Sequence, residues 1–137
     1  MAEAFGGGNS NETLIPAMLE ALHIPFTGAS AHNMHLTLDK EKSKLVAQAY
    51  GVPVPKYQLF RTGDEALFSN LEYPLIVKPV REEASIGIYH DSVVTNEEEL
   101  RRKTSHVVEY YWQPALVEQF IVGREISVGI VGNGDDL

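Results

Sequence analysis

Residues 74–87 decide the fold, and they read Pro-Leu-Ile-Val-Lys-Pro-Val-Arg-Glu-Glu-Ala-Ser-Ile-Gly. A short apolar run bounded by prolines is typical of a buried strand. Lys78 places a charge within this run, and a buried charge needs an anionic partner. We predict a strand over residues 74–79, a polar hairpin over residues 81–84 and a second strand over residues 85–89.

Two interpretations of Lys78 fit this pattern. The side chain can extend its ammonium group to solvent from the end of a strand, or it can bind an anion. The following loop favours anion binding, because the small Ala84, the hydroxyl of Ser85 and Gly87 would let backbone N–H groups approach phosphate oxygens. The loop alone is a weak indication, so both interpretations stay open.

Two glutamates form a second group of candidate residues. Glu118 and Glu125 stand beside apolar residues in segments that we predict as strands, over residues 115–120 and 125–131. Their carboxylates can accept hydrogen bonds from a ligand, or they can face solvent. Acid–base catalysis is less favoured, since no histidine or serine nearby supplies a partner.

Helix caps, prolines and apolar periodicity predict the remaining elements. These are a helix capped by Asn11, a short strand and turn over residues 24–28, a helix from Asp39 to Tyr50, a strand over residues 57–60, a short helix from Thr62 to Asn70, and a helix capped by Asn96 that ends before Pro114. His32 and His35 have no evident third ligand, so we interpret them as part of a polar turn rather than a metal site.

The composition narrows the class of function. The 137 residues carry 11 basic and 19 acidic side chains, giving a formal net charge of -8. This charge disfavours nucleic acids and anionic membrane surfaces as partners, so we expect a small-molecule site. The absence of cysteine excludes disulfides and thiolate metal sites, and it fits the cytoplasmic location that we expect.

Four blocks in order resemble the ATP-grasp superfamily, and within it the proteins similar to D-alanine:D-alanine ligase. The blocks are Ile-Pro-Phe-Thr-Gly at residues 24–28, Leu-Asp-Lys followed by Lys44, the lysine strand and loop at residues 74–87, and Val-Glu-Gln-Phe-Ile with Gly-Arg-Glu at residues 117–125. Each block alone would be poor evidence, whereas four at family spacing are a strong indication.

The resemblance implies an α+β ATP-grasp fold, with a mainly antiparallel sheet covered by helices on one face and an incomplete second lobe. Residues 1–36 would be a remnant of an N-terminal domain, residues 37–121 the first ATP-grasp subdomain, and residues 122–137 the start of a truncated second lobe. Met1 leads directly into a glycine cluster, and residues 132–136 form a turn-like sequence that should lead into another strand, so we expect both ends to be cut.

The resemblance also implies an ATP site. The implied contacts are Lys44 and Lys78 at the phosphates, Ser85 over the outer phosphates, Glu118 at the adenine amino group, the backbone of Phe120 and Ile121 at the ring edge, and Glu125 at the ribose hydroxyls. Ligands for Mg²⁺ are expected beyond residue 137. Glu83 and Ala84 depart from the glycine and serine of the ligase pattern, which leaves the D-alanine substrate open.

The implied activity is that of an ATP-dependent carbon–nitrogen ligase. ATP would phosphorylate a small-molecule carboxylate, and an amine would attack the acyl phosphate. We expect this chain alone to be inactive, and a homodimer is left open. The alternatives are a nucleotide-binding or assembly fragment without chemistry, and another ATP-grasp enzyme such as a biotin-dependent carboxylase, against which residues 24–28 argue.

Overall fold

The computed structural model describes residues 11–132. In chain order, the helices and strands of this range are α1 (Leu14–Ala21), α2 (Ala31–Leu38), α3 (Lys40–Ala49), β1 (Tyr57–Phe60), β2 (Leu75–Pro79), β3 (Val93–Val94), α4 (Glu97–Tyr111) and β4 (Ala115–Gln119), with a short 3-10 helix at His90–Ser92 before β3. Within residues 11–132, no helix is long and apolar enough to span a membrane.

The four strands form one antiparallel sheet in the order β1-β4-β2-β3. In the central pair, Ile76 lies opposite Glu118 and Lys78 lies opposite Leu116. Lys78 and Glu118 are therefore diagonal neighbours on one face, since successive side chains of a strand point to opposite faces. The predicted antiparallel sheet is confirmed, and it places these two residues on adjacent strands.

The opposite face of the sheet packs on α4 and forms the core. The fully buried residues of this core include Leu75, Val77, Ala115 and Val117 from the two central strands, together with Leu100 and Val107 from α4. Burying each large aliphatic side chain contributes about 1.5–3 kcal/mol. The other face of the sheet carries Lys78 and Glu118 and points away from α4.

Two predicted helix starts are confirmed. Asn96 accepts a hydrogen bond from Glu99 N at 3.0 Å and begins α4. Asp39 accepts hydrogen bonds from the backbone N–H groups of Glu41 and Lys42 and begins α3. In both cases a side-chain oxygen accepts hydrogen bonds from N–H groups of the first turn that have no partner inside the helix.

The predicted strand over residues 85–89 is wrong. Ala84 and Ser85 have left-handed φ values of 47° and 62°, and the N–H of Ile86 donates to Glu83 O at 2.8 Å. These are consecutive turns, which cannot pair as a strand. The partner of β2 at that edge is instead β3, a two-residue strand that begins eight positions after the start of the predicted strand.

The predicted helix from Thr62 to Asn70 is also absent. The Glu65 carboxylate does accept hydrogen bonds from the N–H groups of Thr62 and Gly63, each at 3.0 Å. The backbone that would continue a helix is bound elsewhere: Gln58 donates to Ala66 O and accepts from Phe68 N, both at 2.8 Å. A tertiary contact from β1 therefore overrides the local signal.

The ends of the described range hold the remaining differences. The first helix is preceded by Thr13 rather than Asn11, residues 24–28 and 125–131 form no strand, and the segment with His32 and His35 is helix α2 rather than a turn. Pro25 lacks the N–H group that strand pairing requires, and residues 125–131 find no partner strand within the described range. The glycine cluster lies outside the described residues, as does the predicted turn of residues 132–136 from residue 133 onward.

Candidate functional site

Two lysines from different elements contact one glutamate on the sheet face opposite α4. Lys44 Nζ of α3 lies 2.7 Å from Glu118 Oε2, and Lys78 Nζ of β2 is hydrogen-bonded to Glu118 Oε1. Glu118 is only 5% exposed, whereas the lysine side chains keep 14% and 18% of their surface. The structure thus supplies the anionic partner that the sequence position of Lys78 requires.

The two lysines keep Glu118 ionised. Burial by itself raises the pKa of Glu118, but the hydrogen bonds and positive charges of Lys44 and Lys78 outweigh it, so the pKa lies below its usual value. Both carboxylate oxygens are thus matched by a lysine, Oε1 by Lys78 and Oε2 by Lys44.

A third lysine lies beside this pair and was not predicted as a site residue. Lys40 Nζ donates to the backbone oxygen of Glu82, and burial, followed by repulsion from Lys78, lowers the pKa of Lys40. The spacing of Lys40 and Lys44 was the available signal, because residues four apart lie on one face of a helix. Lys44 and Lys78 bind Glu118, and Lys40 lies near enough to Lys78 to be repelled by it, so the positive charge here suits an anion.

The other predicted site residues have no described contact with the side chains of Lys44, Lys78 and Glu118. Ser85 lies at the exposed turn of the loop after β2, and no described hydrogen bond joins its side chain to the lysines. Phe120 continues the β4 pairing through its N–H, 3.1 Å from Pro74 O, and Ile121 follows it with 64% exposure. Glu125 lies in an exposed, irregular segment.

An aromatic ring also lies beside Lys44. The ring of Tyr57, which lies opposite Glu118 in the sheet, has the Lys44 Nζ atom 5.6 Å from its centroid. This contact adds a cation–π attraction that helps to hold Lys44 over the sheet. Within residues 11–132, no group of three histidines or carboxylates is placed to hold a metal ion.

Comparison with known proteins gives one family. The chain matches the family model described as D-ala D-ala ligase C-terminus over residues 46–137. It is 33% identical over 134 residues to a D-alanine--D-alanine ligase of Desulforudis audaxviator, covering 95% of this chain and 43% of the relative. It is 39% identical over 126 residues to an uncharacterized protein of Sinorhizobium fredii, covering 92% of this chain and 36% of that protein.

A solved structure agrees with this result. The crystal structure of D-alanine--D-alanine ligase from Bacillus anthracis complexed with ATP superposes with a TM-score of 0.68 at 26% identity, covering 85% of this chain and 37% of that one. The chain thus spans less than half the length of each of these relatives.

Proposed function

The chain belongs to the family described as D-ala D-ala ligase C-terminus, and from this premise we propose that it is the ATP-binding portion of an ATP-dependent ligase that joins a carboxylate to an amine. The observation that carries the proposal is the convergence of Lys44 and Lys78 on Glu118, on the sheet face opposite α4. Lysine ammonium groups act as point charges for phosphate oxygens.

ATP would bind by exchanging partners with the existing ion pairs. Its phosphates would draw Lys44 and Lys78 away from Glu118, since a polyphosphate carries more negative charge than one carboxylate. Glu118 Oε2, released from its 2.7 Å pair with Lys44, would then accept a hydrogen bond from the adenine amino group. The backbone of Phe120 and Ile121 would pair with the ring edge, and Glu125 would hold the ribose hydroxyls.

The reaction would proceed through an acyl phosphate. A carboxylate oxygen of the first substrate attacks the γ-phosphorus, ADP leaves, and the amine then attacks the acyl carbon and expels phosphate. The lysines would contribute by holding the phosphates and neutralising their charge, which is how most phosphoryl transfer is catalysed. The relatives named as D-alanine--D-alanine ligases support this class of reaction. The proposal specifies the two substrates only as a carboxylate and an amine.

The proposal also includes Mg²⁺ as a cofactor and the cytoplasm as the location. Mg²⁺ would neutralise phosphate charge when bound with ATP, and the described residues offer no cluster of three ligands of their own. A cytoplasmic location is supported by the absence of cysteine from the sequence and by the availability of ATP in that compartment.

Nucleotide titration of the chain, followed by amide chemical shifts, tests the site. ATP should perturb the resonances of residues 117–121 and Lys78 most strongly. Lys78→Gln and Lys44→Gln should each weaken ATP binding about tenfold or more, since each removes a charge-assisted contact of about 1.5–3 kcal/mol. Adenosine, which has no phosphates, should lose much less affinity.

Lys42→Gln is the matched control, because Lys42 lies on the same helix with its side chain 53% exposed. It makes the same change in net charge away from the site, so its ATP affinity should stay close to that of the unaltered chain. Equal losses in Lys42→Gln and Lys44→Gln would refute the placement of the phosphates, as would shifts centred on His32 and His35.

A further inference from the structure

One side chain, Gln113, holds the base of the loop that follows β2. Gln113 lies in the connection between α4 and β4. Its Oε1 accepts a hydrogen bond from Arg81 N at 2.6 Å, and its Nε2 donates to Glu82 Oε1 at 2.8 Å. A side-chain amide has both an acceptor and a donor at one end, so it can bind a backbone N–H and a carboxylate together.

The start of α3 holds the same two residues from another direction. Arg81 Nε lies 3.1 Å from Asp39 Oδ2, and Lys40 Nζ donates to the carbonyl oxygen of Glu82. The base of the loop is thus fixed by contacts from two separate elements. By contrast, residues 83–86 are exposed.

Gln113 also binds the Glu82 carboxylate, which lies near enough to Lys40 to attract its ammonium group. In the structure, Glu82 Oε1 is bound at the connection between α4 and β4, while the peptide oxygen of the same residue takes the Lys40 ammonium group. Side chain and backbone of Glu82 therefore have separate partners.

We propose that Gln113 is a positioning residue for the loop of residues 81–87. By fixing Arg81 and the Glu82 carboxylate, it would hold the turn of residues 83–87 in the conformation that offers backbone N–H groups to a phosphate. This inference rests on the proposed ATP site for its purpose, whereas the positioning itself is a property of the nucleotide-free chain.

An exchange of polarity between the two side chains tests the proposal. Gln113→Glu keeps an acceptor for Arg81 N but sets a carboxylate against Glu82. Amide hydrogen exchange of residues 83–88, measured without nucleotide, should become about tenfold faster, as for the loss of one hydrogen bond and a new repulsion. Combining Gln113→Glu with Glu82→Gln restores a donor and an acceptor at unchanged net charge, and exchange should return to within about twofold of the original rate.

Binding gives the second readout. ATP affinity should fall in Gln113→Glu and recover in the double variant, whereas adenosine affinity should stay constant throughout. Gln48→Glu, on the exposed side of α3, makes the same charge change and should leave loop exchange unaltered. Exchange at Val77 and Val117, both fully buried, reports global unfolding in each variant and separates it from loosening of the loop.

Loop exchange that is unchanged in Gln113→Glu, or not restored in the double variant, would overturn the positioning role. If exchange follows the expected pattern but no variant binds ATP, the positioning role stands and the proposed function fails.

Discussion

At the scale of single residues, Glu118 pairs with Lys44, which joins the sheet to α3, and with Lys78 of the neighbouring strand β2. Its pKa is lowered in the folded chain by Lys44 and Lys78, despite burial, so the unfolded chain takes up the proton first as pH falls. The stability due to ionised Glu118 is therefore full above its unfolded pKa, near 4.3, and is lost below it. Glu118→Gln should lower the free energy of unfolding by about 1–3 kcal/mol at pH 7, and the difference should shrink towards zero in acid.

Denaturant unfolding between acidic and neutral pH measures this difference. Glu72→Gln, at an exposed position, removes the same charge and should change stability little. A loss in Glu118→Gln that is independent of pH would mean that its ionised carboxylate is not the stabilising group.

At the scale of elements, the loop after β2 depends on one glycine. Gly87 has a φ of +79°, and an added Cβ would lie 2.4 Å from Pro79 Cγ. Gly51 has a similar φ of +74° but no atom within 4 Å of that position. Gly51→Ala should therefore cost only the backbone strain, about 1 kcal/mol, and Gly87→Ala should cost about 1–3 kcal/mol more, because Pro79 must move.

Thermal or denaturant unfolding of both variants gives the two values. Gly123→Ala serves as the reference, since its backbone is not left-handed and the space around it is open. Equal losses at Gly51 and Gly87 would show that the loop yields to Pro79 without cost.

At the scale of the whole molecule, stability is concentrated in the sheet and α4. The central strands β2 and β4 pair on both edges and, together with α4, carry most of the buried core, whereas residues 121–132 are exposed and form no helix or strand. Amide hydrogen exchange should therefore be slowest in β2 and β4 and fast throughout residues 121–132, since local openings need little free energy where few contacts are buried. Slow exchange at Ile126, Val128 and Ile130 would contradict this and would point to pairing with another strand.

The sequence by itself was sufficient for features that depend on neighbouring residues. Asp39 and Asn96 begin helices because a capping oxygen acts on the backbone two or three residues away. The strand with Lys78 follows from a short apolar run bounded by prolines, and the blocks that resemble the ligase family predicted the family that the comparison then showed. The sequence left two interpretations of Lys78 open, extension to solvent and binding of an anion, and the contact with Glu118 decides between them.

Only the tertiary structure decided which distant groups meet. Glu118 lies 40 residues from Lys78, and the pairing of β2 with β4 brings them together. Lys40 joins the site because α3 begins beside the end of β2, where its N–H donates to Val80 O. Gln58 prevents a helix that Thr62 and Glu65 would otherwise start. Local patterns record short-range preferences of the chain, whereas these contacts arise from packing between elements, which can outweigh such preferences when a buried partner is available.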